Sequence, residues 1–130
     1  MPSEDESEAE KMIERWMQGY LKAWASDNPG DVAALFAEDA RYYTEPYSEP
    51  WVGRAEIVRQ WIKRGDSGAE WSFEHEVVAE EGDTAVIRGV TRYADEPGGG
   101  GAKTYHNVWI VRFASDETAS EFTEWWMEEK

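Results

Sequence analysis

From Met12 the apolar positions return at intervals of three and four. Met12, Ile13, Trp16, Met17, Tyr20, Leu21 and Trp24 share one face for about four turns, which predicts a first helix from Ala9 to the Asp27-Asn28-Pro29-Gly30 break. Asp31 is a suitable N-cap for a second helix, with Val32, Leu35 and Phe36 on its apolar stripe and Glu38-Asp39 at its end. Ala40–Thr44 is short, β-branched and aromatic and predicts a first strand. The EPYSEPW loop, with Pro46 and Pro50, predicts no regular element. A third helix is expected over Arg54–Arg64, with Ile57, Val58, Trp61 and Ile62 on one side, ending in Gly65-Asp66-Ser67-Gly68. Beyond that point the period falls to two. Trp71, Phe73, His75 and Val77 alternate with Ser72, Glu74 and Glu76, Glu81-Gly82-Asp83 marks a hairpin, and further strands are expected at Thr84–Tyr93, Lys103–Phe113 and Ser120–Met127. The Asp95–Ala102 stretch, DEPGGGGA, reads as a link between strands.

Two helices, a strand, a helix and a four-strand meander make an α+β plan. Expected is a cone-shaped, strongly bent, mostly antiparallel sheet of about five strands, with three N-terminal helices on its concave side. Such a cone leaves room at its mouth for a small molecule. Val78, Val86, Val90, Val108, Ile110 and Trp126 are assigned to the opposite face, and apolar residues there point to a homodimer through the outer sheet.

Composition narrows the function classes. A chain of 130 residues suits one domain, expected at 9–130 behind an acidic leader at 1–8. It has 28 acidic and 13 basic residues, a net charge of −15, which disfavours nucleic acid and anionic membranes as partners. There are no cysteines, so disulfides, thiolate metal sites and cysteine nucleophiles are excluded. No metal-ligand cluster is visible and no cofactor motif is found; PGGGGA lacks the Lys-Ser/Thr of a phosphate loop. The acidic start is unlike a secretory signal and no apolar run is long enough to span a bilayer, so the expected location is cytoplasmic. Eight Trp, six Tyr and four Phe stand against only two Leu, and a core built from rings favours an irregular interior with polar handles.

The segments GYLKAW (Gly19–Trp24), DVAALFAEDARYY (Asp31–Tyr43), WVGRAEI (Trp51–Ile57), YHNVWIVRF (Tyr105–Phe113) and EFTEWWM (Glu121–Met127) resemble the nuclear transport factor 2-like superfamily, with its SnoaL-like and ketosteroid isomerase-like domains. That resemblance implies a ligand-holding cone and, in the isomerases, an oxyanion-donating tyrosine at the place of Tyr20. It also implies a base near the end of the first strand, where Glu45 precedes Pro46 with an offset of one residue. A protonated acid on a late strand has no evident counterpart. The two aspartates and arginine of limonene epoxide hydrolases have none either, whereas His75 and Asn107 are partial equivalents of scytalone dehydratase residues. By alternation His75 lies on the apolar face of its strand, and Asn107 stands between Tyr105 and Trp109 as an amide that needs a partner.

The candidate catalytic set is therefore Tyr20, Glu45, His75 and Asn107. The candidate ligand-binding rings are Trp24, Tyr43, Trp51, Trp61, Phe73, Trp109 and Trp125, with Phe36 as a further core ring. Each also has a plain structural reading, as a core ring, a solvated loop acid or a bonded polar group. The expected activity is cofactor-free acid/base chemistry of isomerase, cyclase or dehydratase type on a small apolar or aromatic carbonyl compound. The alternative is a non-catalytic ligand-binding or accessory module.

Overall fold

The computed structural model describes residues 8–64, 70–94 and 101–130. Residues 1–7 of the expected leader at 1–8, the Gly65–Gly68 turn and most of the Asp95–Ala102 link lie outside them, and Glu8 belongs to the first helix. The first helix, α1, runs Glu8–Ser26 and buries Ile13, Trp16, Met17, Tyr20 and Ala23, the face read from the sequence. It is followed by a short helix α2 (Pro29–Ala33), strand β1 (Phe36–Tyr43), the two-residue strand β2 (Trp51–Val52) and helix α3 (Arg54–Lys63). Four long strands complete the chain: β3 (Trp71–Glu81), β4 (Thr84–Tyr93), β5 (Lys103–Phe113) and β6 (Ala119–Glu128).

The α+β architecture is the expected one, with a sixth strand added. The sheet order is β2-β1-β6-β5-β4-β3, all neighbours antiparallel except β1 and β6. The loop read as irregular runs into β2 at its last residue, Trp51, which pairs with Tyr42, while Val52 pairs with Arg41. Proline does not forbid this, because Pro50 lies just outside the paired residues.

The start of the sheet differs most from the sequence reading. Asn28, not Asp31, caps α2: its side-chain oxygen accepts from the Gly30 N–H at 2.8 Å and the Asp31 N–H at 3.3 Å. Pro29 can open a helix because the N–H it lacks would have no helical partner there. Asp31 instead accepts from the Ser26 hydroxyl at 2.8 Å. The helix then stops at Ala33, before Leu35 and Phe36. The Leu35 carbonyl is taken by the Trp16 indole N–H at 3.0 Å and the Ala119 N–H at 2.8 Å, so cross-chain bonds replace further helical ones. Phe36 thus begins β1 opposite Ala119 and is fully buried.

Register decides which side chains face the helices. Register shifts interrupt the ladder at Val77/Ala79, Arg112/Phe113 and between Phe36 and Arg41, and irregularities of this kind sharpen local twist. The inner face carries Ile87, Trp109, Val111 and Phe122, which pack with Ile13, Trp16, Met17 and Ile57 from the helices into one core. The outer face carries Val86, Val90, Val108 and Ile110 between cross-strand ion pairs such as Arg92–Glu74 at 2.8 Å and Arg112–Glu121 at 2.9 Å. Trp126 is not on that face. It sits opposite Asn107 on the inner side, and Trp125, opposite Val108, is the outer ring. No helix among the described residues is long and apolar enough to cross a membrane.

Candidate active site

A cavity of about 530 Å³ opens at one end of the inner face. Tyr20 and Trp24, four residues apart on α1, form one wall, and Trp61 and Arg64 at the end of α3 form another. Tyr42 and Trp51 enter from the paired strands β1 and β2. Thr91, Tyr93, Lys103, Tyr105, Asn107, Glu124 and Trp126 come from β4, β5 and β6, with Asp27 and Thr44 completing the lining. The wall is therefore largely aromatic, with a few placed polar groups, the usual make-up of a small-molecule site.

The polar groups form two sets. In the first, the Tyr20 and Tyr42 hydroxyls lie 3.5 Å apart and the Tyr42 hydroxyl donates to Glu124 Oε1 at 3.0 Å. Burial raises both phenols well above their ordinary value, and the Glu124 carboxylate raises them further, so both remain protonated donors at neutral pH. In the second, the Thr91 hydroxyl donates to Asn107 Oδ1 at 2.9 Å, which leaves the Asn107 amide nitrogen to donate. Beside these, Trp51 stacks on Tyr42 with ring centroids 4.7 Å apart, and the Arg64 guanidinium lies 4.9 Å from the Trp51 ring centre. Among the described residues no cluster of His, Asp and Glu could hold a metal ion.

Of the expected catalytic set, Tyr20 and Asn107 line this cavity and the other two do not. Glu45 is on the exposed loop, where its carboxylate accepts from the Tyr47 and Ser48 hydroxyls, each at 2.8 Å. These bonds hold its pKa below the ordinary carboxylate value, opposite to what a base working near neutrality needs. His75 is on the inner face but further along β3, with its ring against Phe73 and its Nε2 3.7 Å from Glu14 Oε1 on α1.

Of the expected rings, Trp24, Trp51 and Trp61 line the cavity. Phe73 and Trp109 lie beneath it, stacked at 4.9 Å, with Trp109 fully buried. Tyr43 and Trp125 point to the outer face, because each is one residue out of step with an inward neighbour, Tyr42 and Trp126. Glu124 was the residue least visible in the sequence, one acid among many. Its signal is the alternation Phe122, Glu124, Trp126, which places a carboxylate on the inner face of the last strand.

The sequence pattern of the SnoaL-like domain matches residues 17–121. No curated protein matches the chain. Among solved structures, the epoxide hydrolase/cyclase-like enzyme SalBIII, described in pyran ring formation in polyether salinomycin, is 14% identical with a TM-score of 0.72, covering 92% of this chain and 93% of that one. A ketosteroid isomerase-like protein from Erwinia carotovora atroseptica is 19% identical with a TM-score of 0.65, covering 92% and 96%. A protein with a ketosteroid isomerase-like fold from Catenulispora acidiphila, solved with trimethylamine, is 20% identical with a TM-score of 0.65, covering 85% and 83%. At these identities the structures share the fold, and the likeness extends no further.

Proposed function

The chain belongs to the SnoaL-like domain family, and from that premise we propose that its cavity takes a small apolar or aromatic carbonyl compound and acts on it by cofactor-free acid/base chemistry. The observation that carries this reading is the hydrogen-bonded series Tyr20–Tyr42–Glu124 on the wall of an aromatic cavity. The Tyr42 hydroxyl donates to Glu124, so Tyr20 is the donor in the 3.5 Å contact between the two hydroxyls, and that contact, at the limit of a bond, is weak enough for a ligand oxygen to take its place. A carbonyl held there has its C–H neighbour beside Glu124. The carboxylate takes that proton, the electron pair moves to the carbonyl oxygen, and Tyr20 stabilises the enolate that forms. Return of the proton to the same carbon gives exchange, and where the carbonyl compound is β,γ-unsaturated, return at the γ-carbon of the dienolate gives isomerisation.

Naphthol, a planar hydroxyl probe resembling an enolate, tests the binding half. We expect it to quench tryptophan emission, with affinity about tenfold weaker in Tyr20→Phe, the loss of roughly one well-made hydrogen bond. The catalytic half is read by deuterium exchange next to the carbonyl of an aromatic ketone, accelerated by the protein and abolished in Glu124→Gln. Naphthol binding without exchange would favour the second reading, a ligand-binding module without turnover. That reading is supported by the position of Glu45, which faces solvent where an active isomerase-like site would have its base. We further propose that the protein is a homodimer through the outer face of its sheet, where Val108, Trp125 and Met127 are exposed.

A further inference from the structure

We propose that the ligand carries a carboxylate, which Arg64 and Lys103 receive at the mouth of the cavity. The inference rests on the small-molecule reading above and adds to it a charge and an orientation.

In a chain with more than twice as many acids as bases, seven of the thirteen basic residues pair with a carboxylate, while Arg41, Arg54, Lys63 and Lys130, like Arg64 and Lys103, have no ion pair among the described residues. Arg15 pairs with Glu117 at 3.1 Å, Arg92 with Glu74 at 2.8 Å and Lys22 with Asp31 at 3.7 Å, while Arg88 pairs with Glu76 and Arg59 with Glu56. Arg64 and Lys103 are the two cations that line the cavity, and neither has an ion pair among the described residues. Glu45 feels the charge of Arg64, but the Tyr47 and Ser48 hydroxyls hold its carboxylate and it makes no ion pair with the guanidinium.

Arg64 is also positioned rather than loose. It caps the C-terminus of α3, with its own N–H bonded to the Gln60 carbonyl at 3.1 Å, and its guanidinium rests on the Trp51 ring at 4.9 Å. A guanidinium fixed on a ring face keeps its edge free, and that planar fork matches the two oxygens of a carboxylate. Lys103, at the start of β5, is the second cation of the cavity lining and is exposed.

The charges define a direction. Arg64 and Lys103 are exposed, whereas Tyr20 and Tyr42 are buried and carry Glu124 with them. A ligand with its carboxylate outward and its carbonyl inward meets cations at one end and phenol donors at the other. The reversed ligand would set its carboxylate against Glu124, a like-charge contact that disfavours it. A phosphate dianion fits less well, because its second negative charge doubles the repulsion from a protein of charge −15.

The test compares hydroxynaphthoate with its methyl ester by titration calorimetry on the whole protein. The acid should bind about fivefold more tightly than the ester, as expected for partly exposed charge pairs. In the double variant Arg64→Gln, Lys103→Gln the preference should fall to about unity while affinity for the ester is kept, which separates charge loss from misfolding. Equal affinity of the native protein for acid and ester, with both binding, overturns the carboxylate inference alone. So does a preference that survives in the double variant. If neither probe nor naphthol binds, the cavity reading fails and takes this inference with it.

Discussion

At Gly89 the absence of a side chain is used by the site. A Cβ there would stand 2.4 Å from Phe73 Cζ and 2.6 Å from its Cε1, because the Phe73 ring lies across the strand at this point. That ring stacks on Trp109, and Trp109 lies 4.4 Å from the Tyr20 ring, so the bare strand at Gly89 seats the floor under the candidate donor. Gly89→Ala should lower stability by about 1–3 kcal/mol, read as a drop in melting temperature, because a packed ring must move to admit the methyl group. The two buried phenols give a pH prediction. Unfolded, Tyr20 and Tyr42 ionise near their ordinary value of 10.0; folded, they are held well above it. Unfolding then releases protons once the pH passes about 10, so their contribution is fully present below that pH and is lost above it. Urea melts on either side of pH 10 should show the fall, and Tyr42→Phe should make it shallower. At this scale the sequence was a partial guide. Tyr20 follows from helical spacing, but choosing between Tyr42 and Tyr43, or Trp125 and Trp126, needs a strand register, and adjacent rings in one strand look alike until pairing is known.

Elements were easier to read than residues wherever the period ran long. α1 spans five turns of one repeat, and β4 and β5 begin and end where alternation places them, because local pattern and tertiary burial agree there. The α2–β1 junction resisted because Leu35 and Phe36 fit a helical stripe and a strand equally well. What decides between them is a set of bonds from Trp16 and Ala119, residues far away in the chain. β2 is too short for any period, and its pairing with β1 is what brings Trp51 against Tyr42. The cap of α2 carries a prediction at this scale. Asn28 satisfies two backbone donors, and Asn28→Ala should cost about 1 kcal/mol in chemical denaturation, whereas Asp31→Ala should cost less because Asp31 does not cap. Equal losses from the two substitutions would return the cap to Asp31.

For the whole molecule, the cone, its helices and its aromatic interior were legible from period and composition, and the family likeness was carried by segments spread along most of the chain. The site was legible only in part, since Glu124 and Arg64 gain meaning from the elements that fold toward them. The outer face is the other property of this scale. Val108, Trp125 and Met127 form an exposed stripe along β5 and β6, and a homodimer through it should appear in light scattering as twice the chain mass, reduced to a monomer by Trp125→Glu. A native monomer at all concentrations would remove that proposal and leave the cavity untouched. The cavity itself is tested most directly by a crystal structure of the protein soaked with naphthol. The account predicts the probe inside the aromatic wall, its oxygen within about 3.2 Å of the Tyr20 hydroxyl and its ring against Trp24 or Trp61. A probe bound only on the outer sheet, or one in the cavity with its oxygen turned away from Tyr20, would contradict it.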